Sequence, residues 1–242
     1  MLEGMYAAAA GMEAQQAQLD AISNDIANTD TPGYQAEQVG FRDLLYSTDD
    51  DDPSTAIVGA GAALTTLGYD QTQGAIEQTH NPLDVALSGP GYLEVRQADG
   101  TIGLTRNGTL QLNSAGQLTT TTGLRMVPPI TVPAGTRPAD VQIAANGTVS
   151  ANGRTLGRLS IVSVTAPDQL VPQGGGVFSP SAATGPLTRS TATTLTQGAL
   201  TQSNVDMSTE MTQMMTTEQA YDMASKAIQF ESQMGQIAAT IK

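Results

Sequence analysis

Helical periodicity at both ends and a period of two between them predict an α+β chain. A discontinuous, coiled-coil-like pair of N- and C-terminal α-helices flanks a central all-β domain. Near the N-terminus Met5, Met12, Leu19 and Ile26 recur at intervals of seven. Near the C-terminus Ala220, Met223, Ala227, Phe230, Met234, Ile237 and Ile241 alternate by three and four. Between them, short apolar runs are separated by Asp-Gly and Asn-Gly pairs. The expected divisions are residues 1–46 (N-terminal helix and turn), 47–80 (a flexible or extended connecting segment), 81–196 (central β domain) and 197–242 (C-terminal helix, which completes one helical domain with the first).

The first helix is expected from about Leu2 to Asn28. Its heptad stripe makes a narrow seam, but Gln16 and Ser23 fall on it, so the helix needs a partner. Thr29-Asp30-Thr31-Pro32-Gly33-Tyr34 stops it. Asn28 can take the left-handed conformation that ends a helix. Pro32-Gly33 suits the centre of a type II turn, where glycine supplies the positive φ. Asn24 and Asn28 share a face, either as a solvated and a capping residue or as donors to a neighbouring chain.

Gln35–Tyr46 is mixed, with Phe41, Leu44, Leu45 and Tyr46 able to dock on another surface. Asp49–Asp52 are four consecutive acids, read as a solvated loop because EF-hand spacing is missing. Strands are expected at Val85–Leu87, Tyr92–Val95, Gly103–Thr105, Thr109–Leu112, Leu118–Thr120, Ile130–Val132, Val141–Ala144, Val149–Ser150 and Leu159–Val164. Turns are expected at Asp99-Gly100, Asn107-Gly108, Ala115-Gly116, Asn146-Gly147 and Asn152-Gly153. Aromatics are few, so Leu, Ile and Val must build the core. Gln173–Val177 reads as a loose loop and Ser179–Thr196 as a connector or edge segment. The last helix should run from Asp206, which can cap it as Ser208 also can, to about Ile241. Met207, Met211 and Met214 open its stripe, and Tyr221 and Ile228 flank it.

Lys and Arg total 10 against 23 Asp and Glu, and residues 1–41 contain no base. A net charge of −13 argues against nucleic acid and anionic membrane as partners. No run is apolar enough to span a membrane, and Glu3 stands where a basic signal region belongs. With no cysteine and a single histidine, His80, neither a metal nor a cofactor site is expected. Asp84 and Glu94 could form a carboxylate pair in a secreted acidic hydrolase, the alternative from another class. Nine of the ten methionines lie in the two terminal helical segments. Methionine tolerates variable packing, which suits either ordinary core filling or an interface repeated around an assembly. Pairing the two terminal helices antiparallel leaves Tyr6, Ile22, Tyr221 and Ile228 to face further chains. The chain is therefore expected to polymerise through its ends, with termini that order on assembly.

Several blocks resemble one family. Ser23-Asn24-Asp25-Ile26-Ala27-Asn28-Thr29-Asp30-Thr31-Pro32-Gly33-Tyr34 is similar to the N-terminal signature of bacterial flagellar basal-body rod and hook proteins. Gly11–Gln16 and Phe41–Tyr46 resemble its flanking blocks in the distal rod branch. Asn81-Pro82-Leu83-Asp84-Val85-Ala86-Leu87, Gly91-Tyr92 and Leu104-Thr105-Arg106-Asn107-Gly108 resemble the central motifs. Gln197-Gly198-Ala199-Leu200, Ser203–Met207 and Glu218–Met223 resemble the C-terminal ones. Three features depart from the pattern: Asp25 stands where the family usually has Asn, Tyr34 replaces a common Phe, and Ser47–Leu67 is short for the distal branch.

The resemblance implies a non-enzymatic structural subunit of the rod, the drive shaft of the flagellar basal body between motor and hook. It implies self-assembly into a helical polymer, contact with other rod and hook proteins, and export through the flagellar type III apparatus. The distal branch is favoured over the proximal, with a phage-tail or other type III filament as a further alternative. The residues expected at helix packing or subunit interfaces are Met5, Met12, Leu19, Asn24, Ile26, Asn28, Pro32, Gly33, Tyr34, Met207, Met214, Tyr221, Met223, Ala227, Phe230, Met234, Ile237 and Ile241.

Overall fold

The computed structural model describes residues 2–46 and 58–240. The chain divides into two compact units. One comprises Met1–Ala27, Glu37–Leu67 and Asp206–Lys242; the other comprises Asn28–Ala36 and Gly68–Val205.

The first unit holds both long helices, α1 (Leu2–Ala27) and α2 (Met207–Thr240). Asp206 caps α2: its carboxylate accepts the N–H groups of Ser208 at 2.9 Å and Thr209 at 3.2 Å. The helices pack against each other. Asp25, near the end of α1, lies beside Glu210 in the first turns of α2, so they run antiparallel.

The contact line differs from the expected one. α1 buries Ala14, Ile22 and Asp25, and α2 buries Thr217 with Met214, Tyr221 and Ile228 half-buried. Ile22, Tyr221 and Ile228 therefore sit within the pair instead of facing other chains. α2 carries two apolar lines at helical spacing, and spacing alone cannot choose between them. The chosen line includes Thr217 and Ala224, whose small side chains allow the backbones to approach, whereas Met223 and Phe230 would hold them apart.

Two strands complete this unit. β1 (Glu37–Tyr46) and β2 (Val58–Tyr69) form a two-stranded sheet. β1 replaces the mixed docking segment expected there, and β2 falls inside the expected connecting segment. The Ala and Gly content of β2 gives little β signal, so pairing more than propensity makes it a strand. The acidic run Asp49–Asp52 lies outside the described residues.

The second unit is built on the strand Tyr92–Arg96. One edge pairs antiparallel with Ile102–Thr105; the other is shared by Ile161–Ser163 and Arg125–Met126. The sheet extends through Val177–Ser179 and Val171–Gly174 on one flank, and through Leu118–Thr120 and Leu110–Leu112 on the other. Val141–Ile143, Thr148–Ala151 and Arg154–Arg158 form a separate three-stranded sheet.

Because strand side chains alternate, the central strand serves two cores. Leu93 and Val95 join an aliphatic cluster with Val85, Leu87, Leu118, Ile130 and Val149. Tyr92 faces the other way, into a cluster with Leu104, Val162, Leu170 and Phe178. There Phe178 meets Tyr69 and Tyr92 edge-on, at centroid distances of 5.0 and 6.3 Å. Three of the nine aromatic residues, Tyr69, Tyr92 and Phe178, thus gather in one place, where an aliphatic core was expected throughout.

Turn chemistry is more specific than the Gly pairs imply. Gln97–Thr101, Asn113–Gln117, Thr120–Leu124 and Ala144–Thr148 close in one way, with two backbone hydrogen bonds around a three-residue loop. Of the expected turn pairs, only Asn152-Gly153 makes a two-residue turn, with φ of 50° and 77° between paired Ala151 and Arg154. Asn107-Gly108 is no turn of this kind: Gly108 lies against the Val85 carbonyl with no room for a Cβ, and its own oxygen accepts Val85 N–H at 3.0 Å. Gln173–Val177 is no loose loop either; its glycines turn the chain between the paired strands Val171–Gly174 and Val177–Ser179. Ile130–Val132 contributes a single bridge, Thr131 to Gln117, and not a strand. Gln197 and Ala199–Thr201, expected to lead into the last helix, are strand residues of this unit, with Gly198 turning the chain between them.

The segment after α1 is fastened into the second unit. The type II turn forms: Tyr34 N–H donates to Thr31 O at 3.2 Å across Pro32-Gly33, with Gly33 at φ 71°. Asn28 is not left-handed. Its carbonyl accepts Thr31 N–H at 3.0 Å, so a second turn carries the chain out of the helix without a left-handed residue.

Gly33 is buried, and a Cβ there would lie 2.5 Å from the Arg106 carbonyl carbon and oxygen. Gly33→Ala should therefore destabilise the β-rich unit by about 2 kcal/mol or more, through both positive φ and collision. Gly100 also has a positive φ, of 87°, but open space around it, so Gly100→Ala should cost only about 1 kcal/mol. Urea unfolding of the two variants checks the difference.

Candidate assembly interface

The residues expected to bind other subunits separate into an exposed set and a set consumed within the chain. On α2, Met207, Met223, Ala227, Phe230 and Met234 are exposed, with Phe230 at 65% and Met223 at 67%. Met211 and Met215 are exposed beside them. Met214 and Tyr221 are half-buried in the helix pair. On α1, Met12, Leu19 and Ile26 are half-buried, Asn24 is exposed and Tyr6 is 69% exposed. Met5 and Ile237 fall where only the backbone is described, and Ile241 lies outside the described residues. The first unit thus presents a long apolar face of flexible side chains on α2 that no part of its own unit covers. Apolar surface of this extent on a structured helix marks a place for another molecule.

Asn28, Pro32, Gly33 and Tyr34 do something else. Asn28 is half-buried, and its side-chain oxygen accepts the Thr31 hydroxyl at 3.1 Å, so it acts on its own chain. Gly33 N–H donates to Thr201 O at 2.8 Å, and Asn204 N–H to Tyr34 O at 3.4 Å. The Asn204 side chain accepts Ala36 N–H at 2.8 Å and donates to Asp70 O at 2.9 Å.

Behind them lies a buried polar group. The Tyr92 hydroxyl bonds with Gln35 Oε1 at 3.2 Å and Gln71 Oε1 at 2.9 Å. The Arg106 guanidinium stands over the Tyr92 ring, 5.6 Å from its centroid, and donates to Gly89 O at 2.7 Å. Burial raises the Tyr92 phenol above its ordinary pKa and lowers that of Arg106, each favouring the neutral form. The attraction between cation and ring offsets part of that cost.

The other motif blocks join the same network. Gln197 Nε2 donates to Pro82 O at 2.6 Å and Val141 O at 2.8 Å. Gly198 N–H donates to Asp84 O at 2.8 Å. Asp84 is buried, and its carboxylate accepts the Thr79 hydroxyl at 2.7 Å and Asn81 Nδ2 at 2.9 Å. Those bonds explain Asp84 as a turn-closing acid. His80 takes φ 59° in the same turn and is exposed. Gln35 and Gln71 stand in no motif of the sequence, and Gln197 opens a family block that gives its side chain no role. Glutamine is usually a surface residue, and nothing local marks Gln35 as buried or Gln71 and Gln197 as half-buried hydrogen-bonding residues.

The end of the helix pair is acidic. The buried Asp25 carboxylate accepts the Glu37 N–H through both oxygens at 3.2 Å. Glu210 is held above the ordinary glutamate range by partial burial, then by the charges of Asp25 and Asp206.

Comparison with known proteins identifies the family. Residues 5–35 match the family described as flagella basal body rod protein. Residues 86–151 match the flagellar hook protein FlgE/F/G D1 domain, and residues 196–241 the flagellar basal body rod FlgEFG protein C-terminal family. The flagellar basal-body rod protein FlgG of Agrobacterium fabrum is 33% identical, with 98% of each chain covered. FlgG of Caulobacter vibrioides is 31% identical, with 100% of each covered. FlgF of Escherichia coli is 34% identical, over 85% of this chain and 84% of its own. Matched from one end to the other, the chain belongs to the flagellar basal-body rod protein family.

Proposed function

We propose that this structural subunit of the flagellar basal-body rod polymerises through its terminal helices, in the distal part of the shaft that carries torque from motor to hook. Membership of the rod family places it in the basal body as a structural protein. The end-to-end match to FlgG proteins favours the distal branch over the proximal. The observation that carries the polymer is the exposed Met and Phe face of α2, left after the opposite face has packed on α1. Its partners are other copies of this chain and, at the ends of its segment, other rod and hook proteins. Delivery runs through the flagellar type III export apparatus. Torque transmission asks for tight, repeated contact and no chemistry. Methionine and phenylalanine supply that contact and adapt where neighbouring sites differ slightly in geometry.

A double substitution of Met223 and Phe230 by Ser should abolish assembly while leaving the monomer folded. Sedimentation of concentrated protein reads the first effect, and hydrogen exchange across residues 83–165 the second. Polymers from this variant at wild-type yield would remove α2 from the interface.

The acidic end of the helix pair predicts a pH dependence. A carboxyl whose pKa is raised on folding binds its proton more tightly in the folded state. Stability is then greatest below its unfolded value, about 4.3, and falls as pH rises through the raised folded value. Glu210→Gln should therefore raise the melting midpoint of the helical signal at pH 7, and the gain should vanish below about pH 4. Circular dichroism at the two pH values checks this.

A further inference from the structure

The helical unit carries a second feature that the α2 face alone does not use. A groove of about 260 Å³ runs between α1 and the β1–β2 sheet, lined by Glu13, Ala14, Ala17, Leu44, Ala63 and Leu64 among others. Its walls are mostly methyl groups, so it offers apolar depth without bulk. β2 cannot close it by shifting onto the helix. At Gly61 a Cβ would already lie 2.9 Å from Ala7 O and from Ala10 Cβ. Glu13 is exposed at the groove, and α1 contains no basic residue. No ion pair to Glu13 forms among the described residues.

The exposed face of α2 is the complement. Met223, Phe230 and Met234 stand out from it at 61–67% exposure. Lys226 is exposed between Met223 and Phe230 on the same face, and it is the only base in residues 206–241. No ion pair to Lys226 forms among the described residues either. One chain cannot join these two surfaces to each other, because its α2 is already docked on α1 through the opposite face.

We propose that the Met223–Phe230 ridge of one subunit seats in the alanine-lined groove of a second copy, with Lys226 of the first against Glu13 of the other. The charge match selects the occupant. A strongly acidic chain repels its own copies except where its few bases meet an acid, and this ridge carries one of its two lysines. Ridge and groove are different patches, so the contact is head-to-tail. Each contact uses the ridge of one copy and the groove of the other, so the pair keeps one free groove and one free ridge, and such a contact extends into an open helical assembly instead of closing as a dimer. The inference rests on the reading of the chain as a polymerising rod subunit and names the two surfaces that meet.

The chain has no cysteine, so site-directed cross-linking needs no background removal. One preparation carries Ala17→Cys and another Met223→Cys. The two are mixed, concentrated to assemble, and treated with a short bis-maleimide. A cross-linked dimer containing one chain of each kind is expected from the assembled mixture and from neither preparation alone. Separately, Glu13→Lys and Lys226→Glu should each lower the assembled fraction several-fold, and combining them in one chain should restore it. Circular dichroism confirms that every variant keeps its helices. If wild-type chains assemble, no mixed cross-link forms and both reversals assemble normally, the groove is not the seat, while the rod reading stands. If wild-type chains do not associate at any concentration, the head-to-tail contact and self-polymerisation fail together.

Discussion

Everything in the β-rich unit is fitted around one close approach, that of Gly33 to the backbone of Arg106. Gly33 donates its N–H to Thr201 while its α-carbon presses on the Arg106 carbonyl. Three stretches distant in sequence, 31–35, 104–108 and 201–204, meet there with almost no side-chain volume between them. Such contact is possible only where one partner lacks a Cβ. It also explains the chemistry behind it. Backbone packed this tightly leaves polar groups that must be paired in place, and Gln35, Gln71, Tyr92 and Asn204 pair them. The family motifs thus fasten the chain to itself. The surface we propose for contact with other subunits is the less distinctive run of exposed methionines.

This division has a mechanical sense. A subunit under torque needs its own parts locked more firmly than they are locked to neighbours whose positions vary. Hydrogen-bonded networks at glycine contacts are rigid and intolerant of change. Methionine-rich faces are forgiving. The chain places the first kind within the β-rich unit and leaves the second exposed on α2.

The sequence reveals these two layers unequally. Both helices, their antiparallel pairing, the Asp206 cap and the Pro32-Gly33 turn follow from local rules, because caps, heptads and positive-φ turns are written in a few adjacent residues. So do most strands between Val85 and Val162. The pair β1–β2 was not legible, since Ala and Gly become a strand only when a partner aligns them. The packed line on α2 was misjudged because the helix carries apolar residues on two lines. The choice falls to the smaller side chains, Thr217 among them, which hydrophobic spacing ignores. The roles of Gln35, Gln71 and Gln197 are invisible in the sequence for a related reason. A polar residue gains its meaning from what the fold brings to it, and Gln197 is matched to Pro82 and Val141 only after the sheets close.

Charge then limits how such a subunit can associate. Residues 1–41 carry six acids and no base, and residues 206–242 carry five acids and two lysines. Helices with this balance repel one another at long range, and apolar contact must overcome that repulsion over a few ångströms. The buried Asp25 carboxylate is held by the Glu37 amide, which stabilises its charge without cancelling it. The result is a field that disfavours random aggregation of the methionine face and is relieved only where a base meets an acid in register. An apolar face can stay exposed on a monomer under those conditions, because indiscriminate pairing is opposed by charge. Specificity in such an assembly comes from the repulsion as much as from the contact.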